Sequence, residues 1–106
     1  ATNKRKIPTI KLIKHFGWEH FFEVVECHDS SSELRSKEKI VRNIIENNYK
    51  FKNCYFVGDT LNDGFSANIN ELKFVKACYG YGKNQDWSKI IITKSIYSFS
   101  ELEKII

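Results

Sequence analysis

Short apolar runs alternate with amphipathic stretches along the chain, and this alternation is typical of proteins built from β-strands and α-helices in turn. The runs rich in aromatic and β-branched residues are predicted to be strands, at 21–25, 54–57, 74–78 and, as a short edge strand, 90–92. The run 54–57 is apolar throughout, which indicates a strand buried on both faces of a parallel sheet. The predicted fold class is therefore α/β with a parallel sheet.

The predicted helices have apolar residues at helical spacing and lie at 8–16, 36–47, 63–72 and 100–105. Gly17 is expected to end the first helix, and Ser36 and Ser100 are expected to cap the second and the last. A helix between successive strands is the connection that parallel strands require.

Composition limits the classes of function. The 106 residues, 42% of them hydrophobic, are enough for one domain with a single core. The 17 Lys and Arg against 13 Asp and Glu give a net charge of +4, but they are scattered, so nucleic-acid binding is not expected. No apolar run approaches the roughly 18 residues of a membrane span.

Three cysteines fit neither a disulfide framework nor a zinc motif, which predicts free thiols in a reducing, cytoplasmic location.

The candidate chemistry follows the most apolar strand, where the sequence reads Gly58-Asp59-Thr60-Leu61-Asn62-Asp63. Ligands of open parallel sheets bind at the carboxyl ends of the strands. Two carboxylates four residues apart can converge there on one cation, and hard oxygen donors suit Mg²⁺ better than zinc. A calcium loop fits poorly, because Leu61 takes a ligand position. In the purely structural alternative, Asp59 forms a turn and Asp63 is a helix N-cap.

These residues resemble a known family. The segment 55–63 resembles the fourth motif of haloacid dehalogenase-like (HAD) hydrolases, closest to their phosphoglycolate phosphatase-like branch, and 73–82 resembles the next strand and loop of that branch. Lys37, at the start of a helix, resembles the third motif. Thr2 and Asn3 resemble the second motif, a hydroxyl residue followed by Asn. The motifs occur in the family's order across the whole chain.

The resemblance implies phosphoryl transfer through an aspartyl-phosphate with one Mg²⁺. In that scheme the Thr2 hydroxyl and the Asn3 backbone amide hold phosphoryl oxygens. Lys37 neutralises charge in the transition state, with Lys39 as the rival candidate. The resemblance also implies that Asp59 ligates Mg²⁺, and that Asp63 does so directly or through water, or else orients Lys37.

The chain departs from the family pattern at its chemistry. The first motif, a D-x-D pair that supplies the nucleophile, is absent from the 106 residues, and so is the cap that selects the substrate. The family's opening strand is central in its sheet, so its loss would leave a gap with unpaired backbone groups. At Glu71, where the family commonly has Gly, Asn70 is expected to supply the left-handed residue.

We therefore expect residues 1–106 to be the C-terminal portion of a three-layer, Rossmann-like HAD core, inactive alone, with no cap domain. Its expected partners are a small phosphorylated substrate and the missing N-terminal half of the same enzyme, or a second copy of itself. The expected function is that of a Mg²⁺-dependent phosphomonoester hydrolase whose nucleophilic Asp lies outside this chain. The alternatives are a non-catalytic interaction module of the same fold and a dehalogenase of the family.

Overall fold

The computed structural model describes residues 1–30, 35–47 and 53–105, which belong to two compact units, Ala1–Lys50 and Phe51–Ile106. Along the chain the elements are α1 (Lys6–His15), a 3₁₀ helix (Glu19–Phe21), α2 (Lys37–Asn47), β1 (Tyr55–Gly58), α3 (Leu61–Ile69), β2 (Lys73–Ala77), β3 (Lys94–Ile96) and a second 3₁₀ helix (Phe99–Lys104). Within the described residues, no helix combines the length and the apolar character that crossing a membrane requires.

Helix α1 of the first unit confirms the predicted first helix. The Asp29 carboxylate accepts a hydrogen bond of 2.6 Å from the backbone N–H of Lys6, the first residue of the helix. An acceptor at this position satisfies one of the N–H groups that a helix leaves unpaired at its start. Gly17 has a φ of +66° and donates its N–H to the Lys14 carbonyl oxygen, which ends the helix as predicted.

Helix α2 also lies where it was predicted. The Ser36 carbonyl oxygen accepts the N–H groups of Lys39 and Ile40, so Ser36 stands at the helix entry. Ile40 and Val41 are buried and form the start of the predicted apolar stripe. The predicted loop before this helix includes Ser31 and Ser32, which lie outside the described residues.

The strand predicted at 21–25 is wrong for this structure. Phe21 belongs to the first 3₁₀ helix, and the segment after it forms no strand in the described part of the chain. Two backbone hydrogen bonds, from Thr2 N–H to Glu26 O and from His28 N–H to Lys4 O, tie its end to the amino terminus. The Thr2 hydroxyl accepts the N–H of Lys4 and bends the chain between those bonds, so a regular ladder does not form.

The second unit contains a parallel sheet with the order β1-β2-β3, which confirms the α/β class. In its register Tyr55 pairs with Lys73, and Ala77 with Ile96. A core cluster of Val75, Ala77 and Ile96 lies at the β2–β3 pair. Strand β1 is at an edge of this sheet in the described residues, and Val57 is 41% exposed, so the prediction that both its faces are buried is wrong at that residue.

The last predicted strand and the last helix are displaced along the chain. Strand β3 occupies 94–96 rather than 90–92, because the Asn68 side chain takes both backbone groups of Ile91: it accepts the N–H at 2.8 Å and donates to the carbonyl oxygen at 3.0 Å. Those backbone groups therefore cannot take part in a strand ladder. Ser98, not Ser100, is the N-cap of the final 3₁₀ helix, since the Glu101 carboxylate accepts the Ser98 N–H.

Helix α3 ends in a Schellman motif, in which Leu72 N–H bonds Ala67 O and Glu71 N–H bonds Asn68 O. The left-handed residue is Glu71, with a φ of +58°, whereas Asn70 has a φ of −94°. The prediction for Asn70 is therefore wrong. The motif requires the left-handed conformation one position after the cap, and Asn70 is the cap itself.

Replacing Glu71 by glycine should raise the free energy of unfolding by about 1 kcal/mol, because a non-glycine residue loses about that much in the left-handed region. Urea unfolding of the protein at its full encoded length measures this effect. The matched control is Asn70→Gly, which should destabilise, since Asn70 has a negative φ and its amide donates to Ser66 O. Equal effects of the two substitutions would contradict the assignment.

Candidate functional site

Asp59 lies between β1 and α3, at the carboxyl end of β1, and Asp63 lies in the first turn of α3. Asp63 is 5% exposed, and its Oδ2 accepts hydrogen bonds from Asp59 N–H at 3.1 Å, Thr60 N–H at 3.2 Å and Thr60 Oγ1 at 3.0 Å. The Thr60 hydroxyl accepts the N–H of Asp63 in return, which completes a capping box. Thr60 is thus the N-cap of α3 and Asp63 its third residue, so the alternative that placed Asp63 at the N-cap is wrong by three positions.

The capping box fixes the backbone on which Asp59 stands. Three hydrogen bonds to one buried carboxylate oxygen hold the turn in a single conformation. Breaking them would cost free energy, because the carboxylate would then be buried without hydrogen-bond partners. Asp59 follows β1 directly and is half-buried. The structure therefore brings the two predicted metal ligands close together at the carboxyl end of β1 and gives them different surroundings.

A second loop, after β2, contacts Asp59 directly. The backbone N–H of Tyr81 donates to Asp59 Oδ2 at 2.8 Å. Among the residues that the structure describes, the Asp59 carboxylate accepts no other hydrogen bond, and its Oδ1 accepts none. One oxygen of the carboxylate is thereby held in place and the other can bind a ligand.

The glycines of the loop permit this close approach. A Cβ atom at Gly80 would lie within 3.0 Å of the Asp59 side chain, and one at Gly82 within 3.0 Å of the Asp59 backbone oxygen. Real Cβ atoms essentially never make such contacts. A Cβ at Gly58 would meet the Asp63 side chain in the same way. Sequence reasoning identified the Tyr-Gly-Tyr-Gly loop but not its contact with Asp59.

Two further side chains join the loop to the turn, and sequence reasoning missed both. The Gln85 side-chain oxygen accepts the N–H of Leu61, the first residue of α3, at 3.1 Å. The indole N–H of Trp87 donates to Gly82 O at 2.9 Å. Asp86, by contrast, accepts the N–H of Ser88, and this hydrogen bond lowers the pKa of the Asp86 carboxyl below its usual value. Asp86 thus stabilises a local turn.

Five residues line an open cleft of about 500 Å³ at this end of the sheet, namely Asp59, Tyr79, Gly80, Tyr81 and Lys83. They all belong to the second unit. Through this cleft a small molecule could reach the Asp59 carboxylate.

The residues predicted to hold phosphate lie in the first unit. Thr2 is half-buried, and its hydroxyl accepts the N–H of Lys4 at 3.1 Å, while Asn3 is exposed. Lys37 is the first residue of α2 and is half-buried, whereas Lys39 is exposed. The position of Lys37 matches the predicted lysine at a helix start, and its role stays a prediction.

The donor chemistry of the turn fits magnesium. Asp59 and Asp63 offer carboxylate oxygens, of which Asp63 Oδ2 already accepts three hydrogen bonds. Zinc in structural sites requires four protein ligands, whereas Mg²⁺ is usually held by one or two carboxylates with water and phosphate oxygens. The Asp59 Oδ1, which has no hydrogen bond among the described residues, could serve as a ligand.

Solved structures that share this fold are longer than this chain. The magnesium-bound form of the HAD-type protein YfnB from Bacillus subtilis matches 99% of the chain with a TM-score of 0.83 and 18% identity, over 46% of its own length. A predicted phosphoglycolate phosphatase from Haemophilus somnus matches 99% with a TM-score of 0.82 and 23% identity, over 47% of its own length. A predicted phosphatase from Clostridium acetobutylicum matches 97% with a TM-score of 0.82 and 22% identity, over 48% of its own length.

The chain thus spans about half the length of the solved structures that it matches, and it shares their fold. No curated protein matches it significantly. The family model described as haloacid dehalogenase-like hydrolase matches residues 1–77, which include the second, third and fourth motifs and strand β2. The chain therefore belongs to the haloacid dehalogenase-like hydrolase family.

Proposed function

We propose that this chain forms the C-terminal part of the core of a Mg²⁺-dependent phosphomonoester hydrolase that acts on a small phosphorylated metabolite. The observation that carries the proposal is the Asp59 carboxylate, which stands at the carboxyl end of a parallel strand with Oδ2 held by the Tyr81 amide and Oδ1 without a hydrogen bond among the described residues. Membership of the family and its phosphatase relatives support the reaction class.

In this proposal the turn after β1 holds the metal. Asp59 would bind Mg²⁺ through Oδ1, and Asp63 would bind it directly or through water, or else orient Lys37. A bound Mg²⁺ would neutralise charge on the phosphoryl oxygens and on an attacking carboxylate. The magnesium-bound YfnB structure supports this choice of cation. The Asp63 hydrogen bonds to the turn would keep Asp59 aligned when substrate enters.

The phosphate contacts in this proposal come from the first unit. The Thr2 hydroxyl and the Asn3 amide would donate to non-bridging phosphoryl oxygens, and Lys37 would supply a positive charge as negative charge develops in the transition state. The nucleophilic carboxylate lies outside residues 1–106, since no D-x-D pair occurs in them. The proposed partner is the N-terminal half of the same enzyme, or a second copy of the chain.

Free Cys27, Cys54 and Cys78 support a reducing, cytoplasmic location.

Metal removal tests the proposed reaction in the protein at its full encoded length. Phosphate release from a panel of small phosphomonoesters should fall to background after chelation and return when Mg²⁺ is added, because phosphoryl transfer in this scheme needs the cation. Chloride release from a 2-chloro acid in the presence of chelator is measured in parallel. Metal-independent chloride release would identify a dehalogenase, and the absence of both activities would identify a non-catalytic module.

A further inference from the structure

The cleft beside Asp59 carries three side chains that the phosphoryl-transfer scheme does not use. Tyr79 is 50% exposed and Tyr81 is 97% exposed. Lys83 is exposed and lines the same cleft. A single exposed tyrosine needs no explanation, but the exposed Tyr81 together with the half-exposed Tyr79 and a lysine around one carboxylate forms a surface on which a ligand can bind.

The backbone of Tyr81 is fixed, although its side chain is exposed. Its N–H donates to Asp59 Oδ2 at 2.8 Å, and Gly80 and Gly82 on either side are in close contact with Asp59. The ring of Tyr81 therefore stands on a backbone position tied to the proposed metal ligand. A tyrosine offers a large apolar surface and has few torsions to immobilise when a ligand binds.

The composition of the cleft indicates what it can bind. Its apolar surface comes from the tyrosines, because the other lining residues are Asp59, Gly80 and Lys83. Aromatic rings bind other flat rings by offset stacking, and this arrangement is favourable beyond the area that it buries. A lysine at the rim attracts the dianion of a phosphate ester over several ångströms. An aliphatic leaving group would gain less from such a surface.

Resting on the function proposed above, we propose that Tyr79 and Tyr81 form a leaving-group subsite for phosphomonoesters whose leaving group contains an aromatic ring. Tyr81 contributes the main stacking surface, and Lys83 draws the phosphate toward Asp59. The subsite selects among substrates, while Asp59 and the phosphate-binding residues act on the phosphoryl group common to all of them.

The test is the ratio of kcat/KM for p-nitrophenyl phosphate to that for glycerol 3-phosphate, measured on the protein at its full encoded length. Tyr81→Ala should lower this ratio about twofold to tenfold, which is the range that one stacked aromatic pair supplies. Tyr81→Phe should keep the ratio of the unmodified protein, because the ring and not the hydroxyl makes the contact. Tyr97→Ala is the matched control, since Tyr97 is 73% exposed and does not line the cleft.

An unchanged ratio in Tyr81→Ala, with phosphatase activity present, would overturn the subsite and leave the proposed function intact. An equal fall in Tyr97→Ala would also overturn it, because the effect would then be independent of the cleft. If the unmodified protein hydrolyses no phosphomonoester, the proposed function fails and the subsite fails with it. A ratio that falls in Tyr81→Ala and is kept in Tyr81→Phe supports the subsite.

Discussion

Asp59→Asn is expected to lower kcat/KM for phosphomonoester hydrolysis by about 10²–10³-fold at saturating Mg²⁺, which corresponds to the several kcal/mol that a bound metal contributes to a transition state. Asn keeps the size of the side chain, and its amide can still accept the Tyr81 N–H through oxygen. What it loses is the negative charge facing the cation. The loss should therefore appear in activity and not in the stability of the fold, and both are measured on the same preparation.

Asp86→Asn is the control for that substitution. It removes an identical charge five residues beyond Tyr81, and Asn can still accept the Ser88 N–H that now bonds Asp86. Its kcat/KM should match that of the unmodified protein. If Asp59→Asn retained full activity, or if the two variants lost activity equally, the role proposed for Asp59 would be wrong.

Gly82→Ala should destabilise the protein by about 1–3 kcal/mol, the usual cost of forcing an extra carbon into a packed position. The added Cβ would press on the backbone oxygen of Asp59, which cannot move aside as a flexible side chain can. The displaced Asp59 should also lower kcat by up to about a hundredfold, because a shift of about 1 Å at a reacting centre has effects of that size.

Asn84→Ala is the matched control for Gly82→Ala, since Asn84 is exposed in the same loop two residues further on. It should leave both the urea midpoint and kcat unchanged. Thermal and urea unfolding give the stability, and phosphate release gives kcat. A Gly82→Ala protein with the stability and the activity of the Asn84→Ala protein would contradict the close contact between the loop and Asp59.

The parallel sheet and helix α2 could be predicted from the sequence because their signals are local. An unbroken apolar run at 54–57 and a periodic stripe starting at Ile40 contain most of the information that those elements need. The position of Asp59 at the end of β1 follows from the same pattern. The family resemblance supplied the roles of these residues, which periodicity alone does not give.

The errors arose where a distant residue or a hydrogen-bonding side chain decides the structure. The run 90–92 is rich in isoleucine, but Asn68, over twenty residues earlier, binds the backbone of Ile91 and moves the strand to 94–96. The segment 21–25 has strand-forming residues, but a strand forms only with a partner, and the Thr2 hydroxyl bends the nearest backbone. Propensity contains no information on either contact.

The finer geometry of the site was also beyond the sequence. The Tyr81 amide reaches Asp59 across 22 positions, and Gln85 reaches Leu61 across 24. The glycines at 80 and 82 suggested only a loop. Their function becomes evident when the second loop is seen against the Asp59 backbone, because a Cβ at either position would collide with that residue.

Binding of Mn²⁺ shows whether the turn after β1 holds a divalent cation. Mn²⁺ takes the same carboxylate and water oxygens as Mg²⁺, and its electron paramagnetic resonance signal measures the free ion. We expect the protein at its full encoded length to bind one Mn²⁺ per chain. Asp59→Asn should weaken this binding at least about tenfold, and Asp86→Asn should leave it unchanged. Unaltered Mn²⁺ affinity in the Asp59→Asn protein would show that Asp59 does not bind the cation.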